Sequence, residues 1–144
     1  MRRWAGEFGP WSVANTRLKS GWTMKSESPL PVTIQPRIRV WVGDDVALGP
    51  GKAELLKLIQ KNRSISAAAR QMGMSYMRAW TLIQTMNRSF KDPLALPTRG
   101  GKRGGGTELT ETGLKVLECY QGMEKAGLKA MGPHWQRLRA LART

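Results

Sequence analysis

Between Lys52 and Leu128 the apolar residues recur mostly at three- and four-residue steps, the spacing that keeps one face of a helix turned inward. Within Lys52–Asn62, Leu55, Leu58 and Ile59 share such a face, while Lys57 and Lys61 lie on the outside. Gly49-Pro50 opens this helix, with proline at the first helical position, where its missing N–H removes no bond. Ala68, Ala69 and Met72 make a second apolar face, and Ala79, Ile83 and Met86 a third. Met72-Gly73-Met74 separates the two. Glycine best tolerates the left-handed backbone that stops a helix, so Gly73 is read as the turn. Ser75 follows as an N-cap whose hydroxyl can accept from the free amides of the next first turn. Ala68 and Ala69 let the two helices cross closely.

Other stretches change period. Pro36 to Val42 alternates, with Ile38, Val40 and Val42 to one side and Arg37, Arg39 and Trp41 to the other, which predicts a half-buried strand. Gly43-Asp44-Asp45 then makes a turn. Leu94 to Arg99 is a short apolar segment able to pair as a strand, and Thr107-Glu108-Leu109 is its partner across the run Gly100 to Gly106. Thr110 caps a long helix with Glu111 at its positive end. Along it Val116, Tyr120, Met123 and Gly127 form a stripe that Leu114, Leu117 and Leu128 broaden. Two uses of that face are open: the same helix of a second subunit, or the chain's own core. Gly122 and Gly127 weaken the helix by roughly 1 kcal/mol each against alanine. Gly132-Pro133 is expected to end it, before a last helical segment through Trp135, Leu138, Leu141 and Ala142. Residues 1–35, with Trp4, Trp11 and Trp22 among Gly, Pro, Ser and Thr, keep no period and read as a poorly ordered arm; Met24 is an alternative start.

Charge gives these elements a direction. The 144 residues carry a net charge of +14 and 40% apolar residues, which suits one folded domain with a polyanionic partner. Residues 61–103 hold nine Lys or Arg against the single acid Asp92, a net +8 of that +14. The basic charge thus concentrates on the two short helices and the glycine-rich run, as phosphate binding requires. The pair of helices is read as a helix-turn-helix, with a plain helical hairpin as the other reading. The second helix would present Ser75, Tyr76, Met77, Arg78, Thr81, Gln84 and Arg88 to a duplex, and Ser66 stands in the first turn of the helix before it. The glycine-rich run is either a wing that brings Arg99, Lys102 and Arg103 to the phosphates or a disordered loop.

Other chemistries find little support. Neither Gly101-Lys102 nor Gly51-Lys52 completes a P-loop: Leu96 and Val46 stand at the first glycine position, and Arg103 and Ala53 replace the hydroxyl. One histidine, His134, and one cysteine, Cys119, build no zinc site or catalytic constellation, so neither an enzyme nor a metal or other cofactor is expected. A lone cysteine, no membrane-length apolar run and no signal-peptide core point to the cytoplasm. The runner-up function is a non-specific architectural protein on DNA or RNA; no aromatic-rich RNA-binding motif is visible. The polar residues Tyr76, Thr81 and Gln84 on the second helix favour base edges.

Ser75-Tyr76-x-x-Ala79-Trp80, Met86-Asn87, the run Gly100-Gly101-Lys102-Arg103-Gly104-Gly105-Gly106 and Leu109-Thr110-x-x-Gly113, in that order, resemble the N-terminal DNA-binding domain of ModE-type molybdate-responsive regulators. The last of these elements is shared with LysR-type winged helices. The resemblance covers about residues 36–131. It implies a mainly α fold with a small β-hairpin wing, namely a winged helix-turn-helix with a long C-terminal dimerisation helix. It also implies a homodimer on double-stranded DNA and control of transcription. The parts would be an arm over residues 1–35, the DNA-binding domain over 36–110, and the dimerisation helix and tail over 111–144, with Val116, Tyr120 and Met123 at the seam. The sequence stops about a dozen residues beyond Gly132, leaving no room for the molybdate-binding domains of full-length members, so molybdate is not expected to bind. Met77-Arg78 occupies variable positions of the reading helix, so no operator sequence carries over.

Overall fold

The computed structural model describes residues 31–100 and 105–142. The chain falls into two units, Pro36–Lys129 and a second made of Met1–Gln35 with Ala130–Thr144. Of the second, residues 31–35 are irregular and 130–142 are helical as far as Leu141. Lys102, Arg103 and most of the expected N-terminal arm, Met24 included, lie outside the described residues.

The first unit opens with an antiparallel hairpin of β1 (Val40–Val42) and β2 (Asp45–Leu48), turning at Gly43. The alternation expected from residue 36 is present in the exposures, since Ile38 and Val40 are half-buried between exposed arginines. Pairing starts only at Val40, and Val42 is exposed, because β2 offers four residues and the register shifts between Val40 and Trp41. Strand β2 itself was not expected. Its sequence, Asp-Val-Ala-Leu, is too short to show a period, yet Ala47 and Leu48 are buried.

Helix α1 (Pro50–Asn62) starts on its proline and buries Ala53, Leu55, Leu56 and Ile59. Lys52 donates to the Val46 carbonyl and so ties the hairpin to this helix. Burial lowers its ammonium pKa, against an opposing pull from Asp45. The helix ends at Arg63, a non-glycine residue with φ 53°, whose N–H bonds the Ile59 carbonyl at 2.7 Å. Ser64 then caps α2 (Ile65–Gln71), accepting from the Ala67 amide at 3.2 Å.

The turn lies at Gly73, with φ +62°. Its N–H bonds Arg70 at 3.1 Å and the Met74 N–H bonds Ala69 at 3.0 Å, closing the orphan carbonyls of α2. Ser75 caps α3 (Tyr76–Ser89) by accepting from the Arg78 amide at 3.2 Å. Ala68, Ala69, Met72, Ala79, Ile83 and Met86 are all buried in one cluster with the α1 residues.

A second antiparallel hairpin follows, β3 (Ala95–Thr98) and β4 (Gly106–Leu109), in register from Ala95 opposite Leu109 to Thr98 opposite Gly106. Helix α4 (Glu111–Leu141) closes the sequence of elements. It does not end at Gly132-Pro133 as expected. Proline removes one i→i−4 bond and crowds one carbonyl, yet the helix runs on through Pro133 to Leu141. The unit is mainly helical, and its three short helices with the β3–β4 hairpin make a winged helix-turn-helix.

Candidate nucleic-acid interface

Helix α3 has two unlike sides. Ala79, Ile83 and Met86 are buried, and the residues opposite them at 100° per residue are Met77, Thr81, Gln84 and Arg88. Met77, Thr81 and Arg88 are exposed and Gln84 is half-buried. Tyr76 and Trp80, 48% and 42% exposed, lie on the flank that turns toward the hairpin. Between that flank and the hairpin runs an open groove of about 390 Å³, bordered by Ser66, Tyr76, Trp80, Gln84, Thr98 and Gly105.

What holds the hairpin beside α3 is a set of backbone contacts made by a few side chains. The Asn87 carboxamide oxygen accepts from the amides of Leu94 and Ala95 at 2.8 and 3.1 Å, and its nitrogen donates to the Ala95 carbonyl at 2.9 Å. The Leu94 carbonyl in turn accepts from the Thr110 amide at 2.9 Å. The Thr110 hydroxyl donates to Pro93 at 2.6 Å and accepts from the Gly113 amide at 3.0 Å. A Cβ at Gly113 would collide with the Leu94 carbonyl oxygen. These contacts explain why threonine and glycine stand three apart after Leu109: one caps the helix, and the other lets a strand carbonyl rest against it. From the opposite side Arg63 accepts the Thr107 amide at 3.0 Å on its carbonyl and pairs its guanidinium with Glu108.

The expected site residues divide clearly. Tyr76, Gln84 and Ser66 border the groove. Met77, Arg78, Thr81 and Arg88 are exposed on α3, and Arg99 is exposed just past β3. Ser75 is occupied as the cap. The Thr81 hydroxyl donates to the Met77 carbonyl at 2.8 Å, so its proton is not available to a base edge. Lys102 and Arg103 are outside the described residues.

Tyr120 requires a correction. It is 1% exposed and its hydroxyl donates to the Ile38 carbonyl at 2.9 Å. Burial first, and then the nearby Glu124 carboxylate, push its phenol up to about 12. Tyr120 is therefore spent on the chain's own core and cannot form a seam with another subunit. Its ring reaches the Ile38 carbonyl, which lies before β1 in the chain. Val116 is half-buried against the same core, and Met123 is 40% exposed. With Val40, Leu48, Phe90 and Cys119 these two border a shallow apolar groove of about 230 Å³.

Two contributors were not expected as site residues. Trp80 borders the groove, and Asn87 orients the hairpin. Both stand in the motif read from the sequence, and only their surroundings reveal what they do. Among the described residues no group of three or more His, Cys, Asp or Glu could hold a metal ion. No described helix is long and apolar enough to cross a membrane.

Residues 52–114 match the model of the bacterial regulatory helix-turn-helix protein, lysR family. The chain is 38% identical over 78 residues to the molybdenum transport protein ModE of Azotobacter vinelandii, covering 54% of this chain and 29% of that protein. It is 39% identical over 84 residues to the molybdenum-pterin-binding protein MopB of Rhodobacter capsulatus, covering 58% and 31%. With the DNA-binding transcriptional dual regulator ModE of Escherichia coli K12 the identity is 37% over 81 residues, covering 56% and 31%. The chain thus spans less than a third of the length of each of these curated relatives.

Proposed function

We propose, on the premise that residues 52–114 are a helix-turn-helix domain of lysR type, that this chain binds double-stranded DNA and regulates transcription. The observation that carries the reading is the division of α3. Its inner side closes the core, while its outer side is exposed beside a hairpin held at a set position. An α-helix presented in this way fits the major groove, which is about 12 Å wide. The groove between α3 and the hairpin would take the sugar–phosphate strand, with Ser66, Tyr76 and the Trp80 indole as neutral donors. Arg99, Lys102 and Arg103 would supply charge from the wing. Arg78 and Gln84 would address base edges, arginine favouring guanine and glutamine favouring adenine.

Selection of bound sequences from a random duplex pool tests this reading. A defined motif that survives excess random duplex supports sequence-specific regulation. Retention with no motif would instead make the chain an architectural binder. Within a selected site, Arg78→Ala should relax preference at one base pair, by roughly 1–3 kcal/mol of discrimination. Lys102→Ala should weaken all sequences alike and lower the salt slope by about one.

A homodimer is the second part of the proposal. Its support is the shallow apolar groove at Val116 and Met123, the latter 40% exposed. Two linked domains on two half-sites gain a second contact that is effectively intramolecular. Met123→Glu should yield folded monomers by sedimentation, whereas a wild-type chain already monomeric at micromolar concentration without DNA would remove the dimer. A tie of the regulated genes to molybdate metabolism rests on the names of the relatives alone. Transcript profiles of a deletion strain with and without molybdate test it.

A further inference from the structure

The outer side of α3 is poorer in free hydrogen-bonding groups than its sequence suggests. Thr81 has spent its proton on the Met77 carbonyl, and Thr85 has spent its own on Thr81 at 3.0 Å. Ser75 is engaged as the cap. In the first turn the outward face also carries an apolar side chain. Met77 is 62% exposed, more than any other large apolar side chain of the helix. Thr81, one helical turn on, still offers its methyl group and the lone pairs of its hydroxyl oxygen. An exposed thioether beside a methyl is a poor match for phosphates.

We infer that Met77, with the Thr81 methyl beside it, recognises the C5-methyl group of thymine in the major groove. This rests on the DNA-binding reading above and names part of what the helix reads. Thymine carries the one apolar group on the major-groove edge of the four bases, and contact with it distinguishes T·A from the other pairs. Methionine suits the task because its flexible, polarisable chain adapts to a small apolar target. The preferred duplex should therefore hold thymine under the first two turns of α3. Arg78 on one flank and Gln84 on the other would then address neighbouring pairs.

The test uses the full chain and the best duplex from random-pool selection. Each thymine is replaced in turn by deoxyuridine, which keeps every hydrogen-bonding group and removes the methyl. At one or two positions affinity should fall about three- to fivefold, the effect of one buried methyl. In Met77→Ala that thymine-over-uracil preference should shrink to less than about 1.5-fold, and in Thr81→Ser to an intermediate value. Circular dichroism and thermal melting should be unchanged in both variants, since neither side chain is buried. Deoxyuridine that costs nothing at any position overturns the inference and leaves the DNA-binding reading intact. So does a preference that persists undiminished in both variants, because the methyl is then sensed elsewhere. A chain that selects no duplex at all overturns the inference and the DNA-binding reading together.

Discussion

Asn87 and Met77 stand on the same helix, and they treat their surroundings in opposite ways. The Asn87 carboxamide makes three hydrogen bonds to the backbone of Leu94 and Ala95, while Met77 is 62% exposed. The C-terminal half of α3 is thus fastened to the hairpin, and through Thr110 and Gly113 the hairpin is fastened to α4. The N-terminal half leaves Met77 exposed on its outer side. A reading surface needs both conditions. Its contacts must be left free for a partner, and its position must be held by residues that take no part in the contact. Substitutions at the junction and on the outer face should therefore separate into two classes.

The sharpest way to break the junction is Gly113→Ala. The added Cβ meets the backbone carbonyl of Leu94, which cannot move without displacing the hairpin. A loss of roughly 3 kcal/mol by urea unfolding is expected, and DNA binding should fall with it. Unchanged stability would show that α4 does not rest on this strand.

Asn87→Ala should come next. It leaves two amides and a carbonyl of the Leu94–Ala95 segment without their partner, at a cost of about 2 kcal/mol. Hydrogen exchange should quicken at Leu94 and Ala95 more than in α1 or α2. Uniform quickening would mean that Asn87 supports the whole core rather than the hairpin.

Tyr120→Phe keeps the buried ring and removes the bond to the Ile38 carbonyl, for a loss of about 1 kcal/mol at neutral pH. It should also change the alkaline behaviour. The folded phenol is raised to about 12 from its ordinary value of 10.0. The neutral form is therefore favoured in the folded state. Its contribution is complete below the unfolded value, shrinks as pH rises from 10.0 toward about 12, and is absent above. Thermal melting of the wild type should fall more steeply across that window than melting of the variant. Parallel curves would remove Tyr120 from the core as described.

The smallest effect on stability belongs to the outer face. Arg88→Ala should stay within about 0.5 kcal/mol of the wild type, and still weaken binding to duplex with a shallower dependence on salt. A large loss of stability would blur the separation between the two halves of α3.

Much of this arrangement was legible in the residues alone. The three- and four-residue steps marked the inner faces of α1, α2 and α3, because a helix repeats its face within a few residues whatever it packs on. Gly73 and Ser75 marked a turn and a cap for the same reason, since both act on their immediate neighbours. Thr110 did so at the start of α4. Strand β2 was not legible, since four residues carry no period and it packs on α3, distant in sequence. Helix α4 passes through Gly132-Pro133, where the local signals predicted an end.

The roles of Tyr120, Thr81 and Asn87 were decided by tertiary structure. Tyr120 and Met123 lie on one helical stripe and are indistinguishable by spacing, yet Ile38, far away in sequence, accepts the tyrosine hydroxyl and leaves the methionine outside. Thr81 looks like a polar reader until its rotamer returns the proton to Met77. Asn87 becomes an organiser only where β3 arrives within reach of its carboxamide. Sequence spacing determines which side chains share a face, since that depends on the covalent chain and its helical repeat. Which of them remain available to a partner depends on what the rest of the chain brings alongside, and only the folded structure contains that information.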